Sequence, residues 1–255
     1  KQAKEKGIKP ILGCEIYVSV NKHTEKKQVT TEQGKKWGYH HLVLIVQNEI
    51  GYKNLMKLVS IGYLEGFYYR PRIDKDLLRK YNEGLICTSG CLAGEVNQYA
   101  AAGDYENAKK AALEYKEIFN DRYYLELQNH GIPEEEISRK ALIKLSKELN
   151  IPLVATNDCH YTLEDHWEAH DVLFCLGTGK ERSDINRPKY EPRQFYIRSA
   201  DEMYELFKDV PEALENTLKI AEQCDVNIQM GQYHLPSFPI PQSSEANDVD
   251  SYLKK

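Results

Sequence analysis

An α/β fold, with parallel strands covered by helices, is the class this sequence predicts, and three observations carry it. Short β-branched or apolar runs alternate with longer amphipathic ones along most of the 255 residues. Neither G-x-G-x-x-G nor G-x-x-x-x-G-K-S/T occurs, which weakens the nucleotide-binding open sheets and favours a barrel. Five strands can be recognised, too few to close a barrel, so a piece before Lys1 is expected to complete it.

Residues 1–7 (KQAKEKG) have no apolar core and read as the last turns of a helix stopped by Gly7, not as a secretory signal. Pro10 to Val20 (PILGCEIYVSV) is the first predicted strand, followed by a polar loop from Asn21 to Gly38. The second is His41 to Gln47 (HLVLIVQ). Gly51 to Gly66 has helical spacing, with Leu55, Leu58, Val59 and Gly62 on one face. A short helix follows over Asp74 to Tyr81, with Asp74 as its N-cap.

Leu85 to Thr88 is the third strand and runs into a small-residue turn, Ser89-Gly90-Cys91. Asp104 to Phe119 is a helix, Tyr123 to Gln128 a strand, and Pro133 to Leu149 a helix whose first turn is acidic, as the helix dipole favours. The fifth strand is Leu153 to Thr156, and Asp165 to Leu176 is another helix. Ser199 to Cys224 reads as helix broken at Pro211. From Tyr233 the chain is rich in Pro and Ser and reads as a linker, which divides it into a domain over 1–232 and a tail over 233–255.

The composition is that of an ordinary globular protein, 41% apolar and 29% charged, with no apolar run long enough to span a membrane. A net charge of −5 argues against holding duplex DNA by bulk electrostatics, though not against a metal site, where the ions supply the positive charge. Six scattered cysteines without a C-x-x-C pair exclude a zinc ribbon and a disulfide scaffold; reduced thiols in a cytoplasm are the simplest expectation.

Ligands in such folds bind beyond the strand ends. Directly after the fifth strand comes Thr156-Asn157-Asp158-Cys159-His160. In an extended segment Asp158 and His160 project to one side, and a carboxylate with an imidazole suits a divalent metal. A solvated strand-end turn is the competing reading. Glu15 sits within an apolar strand, where an unpaired buried carboxylate would be costly, so it needs a metal, an Arg partner or an exposed face. Cys91 follows a strand end, as either a thiolate ligand or a packing residue.

His40 and His41 open the second strand. His166 and His170 stand four apart on a helix, but H-W-E-A-H is not the H-E-x-x-H of metalloproteases, and they read as structural or supporting groups. No G-x-S-x-G nucleophile motif is present. YYRPRIDK and RPKYEPRQFYIR mix aromatic and basic residues, which suits either a nucleic-acid backbone or solvated loop faces.

The ordered segments GIKPILGCEIYV, GYKNLMKLVSIGY, GFYYRPRID, EGLICTSGCLAGEV, RYYLELQNHGIPEE, PLVATNDCHY, QFYIRSADEMYELF and PEALENTLKIAEQC together resemble the PHP (polymerase and histidinol phosphatase) domains of bacterial replicative DNA polymerase III α subunits. The resemblance spans nearly the whole chain. It implies a distorted seven-stranded βα barrel whose first two strands lie before Lys1, with 233–255 leading toward a polymerase palm.

It also implies up to nine ligands for a cluster of as many as three divalent ions, with zinc, manganese and magnesium as candidates. Five of those ligands fall on this chain: Glu15 in the GCE motif, His41 before LVLIV, Cys91 in SGC, and Asp158 with His160 in ND-x-H. His40, Asn157 and His170 are expected to support them. The remaining ligands, an H-x-H, an aspartate and the histidine of a TDH motif, are expected upstream, so the cluster is incomplete here.

The implied activity is that of a metal-dependent phosphoesterase, in this family a 3′→5′ exonuclease acting on primer-template DNA. The implied partners are other replicase subunits, such as the proofreading exonuclease and the sliding clamp, with no membrane. Two alternatives stand beside it. One is a non-catalytic domain that stabilises the polymerase and contacts partner subunits. The other is a free-standing phosphatase of the histidinol phosphatase type.

Overall fold

The computed structural model describes residues 2–27, 38–228 and 231–254, the last span without 234, 236, 243 and 247. The chain enters through a one-turn helix, α1 (Gln2–Glu5), that stops at Gly7 as its composition predicts. Two long strands follow, β1 (Gly13–Ser19) and β2 (Tyr39–Val46). Most of the polar loop expected between them, 28–37, lies outside the described residues. In β2 the residues alternate strictly, with His40, Leu42, Leu44 and Val46 buried and the odd positions half-buried, the period-two signature of a strand with unequal faces.

Helix α2 (Glu49–Leu64) starts at Asn48, whose side chain accepts the Gly51 N–H, and it buries Leu55, Leu58, Ile61 and Gly62 on one stripe. A two-residue strand, β3 (Arg72–Ile73), was not foreseen. It holds an almost fully buried arginine (Arg72 is 1% exposed) that donates to the carbonyls of Gly66, His23 and Glu25. These three acceptors take up N–H groups of a guanidinium that the sequence assigned either to a nucleic-acid backbone or to a solvated loop face.

Helix α3 (Lys75–Tyr81) is capped by Asp74. One Asp74 oxygen accepts the Leu77 N–H at 3.0 Å, and the other accepts the His23 N–H at 3.0 Å and faces His23 Nδ1 at 2.5 Å. Burial alone would raise the Asp74 pKa, but these bonds outweigh it and hold the carboxyl below its usual range. A carboxylate with a depressed folded pKa stabilises above its unfolded value, and that contribution is lost as pH falls through the folded one. Asp74→Ala is therefore expected to cost about 1–2 kcal/mol near neutrality. The deficit should shrink below about pH 4, as urea unfolding at the two pH values would show.

β4 (Leu85–Thr88), α4 (Glu95–Ala101), α5 (Tyr105–Phe119), β5 (Tyr123–Leu127), α6 (Pro133–Leu149) and β6 (Leu153–Ala155) complete the sheet and its first helical cover. Then come α7 (Trp167–Thr178), α8 (Ala200–Leu206), α9 (Pro211–Gln223) and, within the proline-rich tail, a short α10 (Val249–Leu253). Proline at N1 starts both α6 and α9, where its missing N–H costs nothing.

The strands form one mixed sheet in the order β3-β1-β2-β4-β5-β6, and it is not closed. The expectation of parallel pairing holds for β1–β3, β4–β5 and β5–β6. It fails for β1–β2 and β2–β4, which are antiparallel. No helix is described between β1 and β2, and antiparallel neighbours need no crossover. The core packs Leu42, Leu44, Val46, Tyr115, Phe119, Tyr123 and Phe207 between sheet and helices. Among the described residues no helix is long and apolar enough to cross a membrane.

Candidate functional site

All five residues singled out as ligands line one cavity of about 600 Å³: Glu15 on β1, His41 on β2, Cys91 after β4, and Asp158 and His160 after β6. The antiparallel pairings create this juxtaposition. Because β2 runs against β4, the start of β2 meets the turn that follows β4, and the His41 N–H donates to the Ala93 carbonyl at 3.0 Å. That turn is stapled by Asn97, whose Nδ2 donates to the Gly90 carbonyl at 2.8 Å, with Gly90 at φ +74°.

Glu15 and His41 share the half-buried face of the β1–β2 pair, in diagonal positions, since Tyr17 stands directly opposite His41. His41 Nδ1 lies 3.2 Å from Glu15 Oε1, and this hydrogen bond, opposed by partial burial, holds the Glu15 carboxyl below its usual range. Glu15 is 43% exposed, so its burial cost is partial, and the His41 hydrogen bond outweighs it. Its partner is an imidazole, not an arginine. Cys91 Sγ stands 3.8 Å from the same Nδ1, and burial pushes its thiol up to about 12.

The Asp158 loop is unusual. Asp158 has φ +39°, a left-handed value few non-glycine residues adopt, and burial raises its pKa, with Glu15 adding to the effect. His160 Nδ1 lies 2.7 Å from the Asp158 carbonyl and must donate to it, so Nε2 is the ring nitrogen not engaged in that bond. Asn157 anchors the loop: Nδ2 donates to the carbonyls of Gln194 and Tyr196, and Oδ1 accepts from Arg198 Nε.

The other expected supporting groups fall elsewhere. His40, on the opposite face of β2, is 5% exposed and faces a separate cavity with Asp74, Lys75 and Glu95. His170 sits behind the site, its ring 5.7 Å from that of His160. His166 precedes α7 instead of sharing its face with His170. Of the aromatic-basic stretches, the second has most of its cations engaged, largely by α7. Arg187 forks onto Asp171 at 2.5 and 2.8 Å, Lys189 meets Glu191, and Arg193 lies 3.2 Å over the Trp167 ring.

Sequence reasoning missed four residues. Glu135, Tyr190 and Phe195 line the cavity, and His130 stacks behind Phe195 with ring centroids 4.1 Å apart. They come from loops and a helix start, where no periodicity marks them. Two carboxylates, two imidazoles and a thiol are a donor set whose chemistry suits a divalent metal. Among the described residues, however, no group of three or more such side chains is arranged around a common point that could hold an ion.

The sheet, its helices and this cavity define a domain class that the family comparison identifies: a model described as PHP domain matches residues 1–130, and the chain belongs to that family. Three relatives are all DNA polymerase III subunit alpha. The chain is 50% identical to that of Borreliella burgdorferi over 255 residues, all of this chain and 22% of the relative. It is 44% identical to that of Campylobacter jejuni over 92% of this chain and 20% of the relative. It is 36% identical to that of Thermus aquaticus over all of this chain and 21% of the relative. The chain thus spans about a fifth of the length of these relatives.

Proposed function

We propose that this chain is the PHP domain of a replicative DNA polymerase α subunit, acting as a metal-dependent phosphoesterase with 3′→5′ exonuclease activity on DNA. The supporting observation is that five donors, drawn from β1, β2, the turn after β4 and the loop after β6, line one cavity. In this reading the sheet is one wall of a distorted seven-stranded βα barrel, and 233–255 lead toward the polymerase palm. Other replicase subunits are then its partners in the cytoplasm.

Glu15, His41, Cys91, Asp158 and His160 would hold zinc, manganese or magnesium. A bound divalent ion would supply a Lewis acid for a phosphoryl oxygen and neutralise charge there. The protein's own part is orientation. Glu15 fixes the His41 ring through Nδ1, the Asp158 carbonyl fixes that of His160, and the aromatic wall of Tyr190 and Phe195 limits water.

A second reading is a scaffold without catalysis; among the described residues no three such side chains stand around a common point. The full-length protein separates the two. Hydrolysis of a 3′-labelled single strand should vanish on chelation and return with one of the three metals. Hydrolysis that survives chelation, or fails with every metal, sinks the proposal.

A further inference from the structure

Both ring nitrogens of His130 face hydrogen-bond acceptors. Nδ1 lies 2.6 Å from Glu135 Oε1, and Nε2 lies 3.0 Å from the Asn157 carbonyl oxygen. The imidazole has no solvent exposure, and the Glu135 side chain is 6% exposed. A neutral imidazole carries one donor and one lone pair, so neither tautomer satisfies two acceptors. The Nε2–H is fixed by the carbonyl, which can only accept. The remaining proton lies between Nδ1 and Glu135.

The surroundings place that proton on the ring. Glu135 belongs to the first turn of α6, where the helix dipole favours a negative charge, and its second oxygen accepts the His130 backbone N–H at 2.7 Å. Burial opposes a charged imidazole, but Glu135, the Asn157 carbonyl and the nearby Asp158 prevail and raise its pKa above the ordinary value.

The bond to Asn157 matters because of what comes next in the chain. Asn157 precedes the left-handed Asp158, and its side chain is already tied to Gln194, Tyr196 and Arg198. The His130 N–H fixes the carbonyl as well, so the peptide leading into Asp158 cannot rotate freely. We infer that His130 is a buried, doubly protonated histidine which, held by Glu135, is a positioning residue that aims Asp158 and His160 into the cavity. The functional half of this inference rests on the metal reading above.

Two measurements on the full-length protein test it. With 15N-labelled histidine, both ring nitrogens of His130 should appear protonated; one bare nitrogen would overturn the charge assignment whatever the variants do. Manganese affinity tests the positioning role. Glu135→Gln keeps the Nε2 donor while removing the carboxylate that holds the ring, so its affinity should fall by less than that of the double variant. His130→Phe combined with Glu135→Gln keeps the stacked ring and leaves no orphan carboxylate, but it loses the donor. Its affinity should fall on the order of 10–100-fold. A folded double variant that binds manganese like the parent refutes the positioning role, provided Asp158→Asn loses binding. If Asp158→Asn also binds normally, the metal reading itself has failed.

Discussion

On the metal reading proposed above, Asp158→Asn in the full-length protein should lower phosphodiester hydrolysis by on the order of 100-fold or more, as expected for loss of a ligand when even supporting residues cost 10–100-fold. It should do so without weakening the fold. Asparagine is at ease in the left-handed backbone that Asp158 occupies at φ +39°. The charge, moreover, is a burden to the metal-free domain. Burial, aided by Glu15, raises the Asp158 pKa, so folding penalises its ionised form. That penalty is fully present above the folded pKa and vanishes below the unfolded one.

At neutral pH the metal-free variant should accordingly melt at or above the parent's temperature. Activity and stability then move in opposite directions, as expected where a site stores unfavourable charge for function. Nuclease assay and thermal melting check both halves. A variant that melts lower while hydrolysing DNA normally would favour the scaffold reading.

Gly51→Ala should destabilise the domain by about 3 kcal/mol or more, the upper end of what overpacking costs. A Cβ at Gly51 would stand 1.8 Å from the Gly84 carbonyl oxygen and 2.5 Å from its carbon. Neither side can yield cheaply. The Gly84 oxygen accepts the Gln47 N–H at 2.9 Å, and the Gly51 N–H is the donor to the Asn48 cap. Gly84 has φ +70°, and a Cβ there would meet Asn48 Oδ1 at 2.4 Å. The two glycines let the first turn of α2 lie against the turn that leads into β4. A denaturation midpoint equal to the parent's would mean that this contact is looser than the geometry indicates.

Much of this architecture was legible because its signals are local. Asp74 and Asp104 cap the helices predicted after them, Pro133 starts α6, and Leu85–Thr88 is the strand its apolar run predicts. What escaped depends on distant partners. β3 is two residues long and exists through pairing with β1, while α4 follows an uncapped Gly94 and has no long apolar stripe. The antiparallel direction of β2 against β4 leaves no mark in either strand. That Glu15, His41, Cys91, Asp158 and His160 share one cavity was readable only through ordered family motifs, since D-x-H alone has a bland alternative. Tyr190, Phe195 and the His130–Glu135 pair were not, because their roles arise where loops distant in sequence meet.

The alternation along β2 sets what kind of heritable change this chain can absorb. His41 faces the cavity and His40 the opposite side, while Leu42, Leu44 and Val46 fill the core. A substitution disturbs one of these positions. Gaining or losing a single codon within the strand would turn over every side chain beyond it, moving core leucines toward the cavity. Length drift in this gene should therefore be confined to loops, with the tract from Tyr39 to Val46 conserved in length even where its letters change.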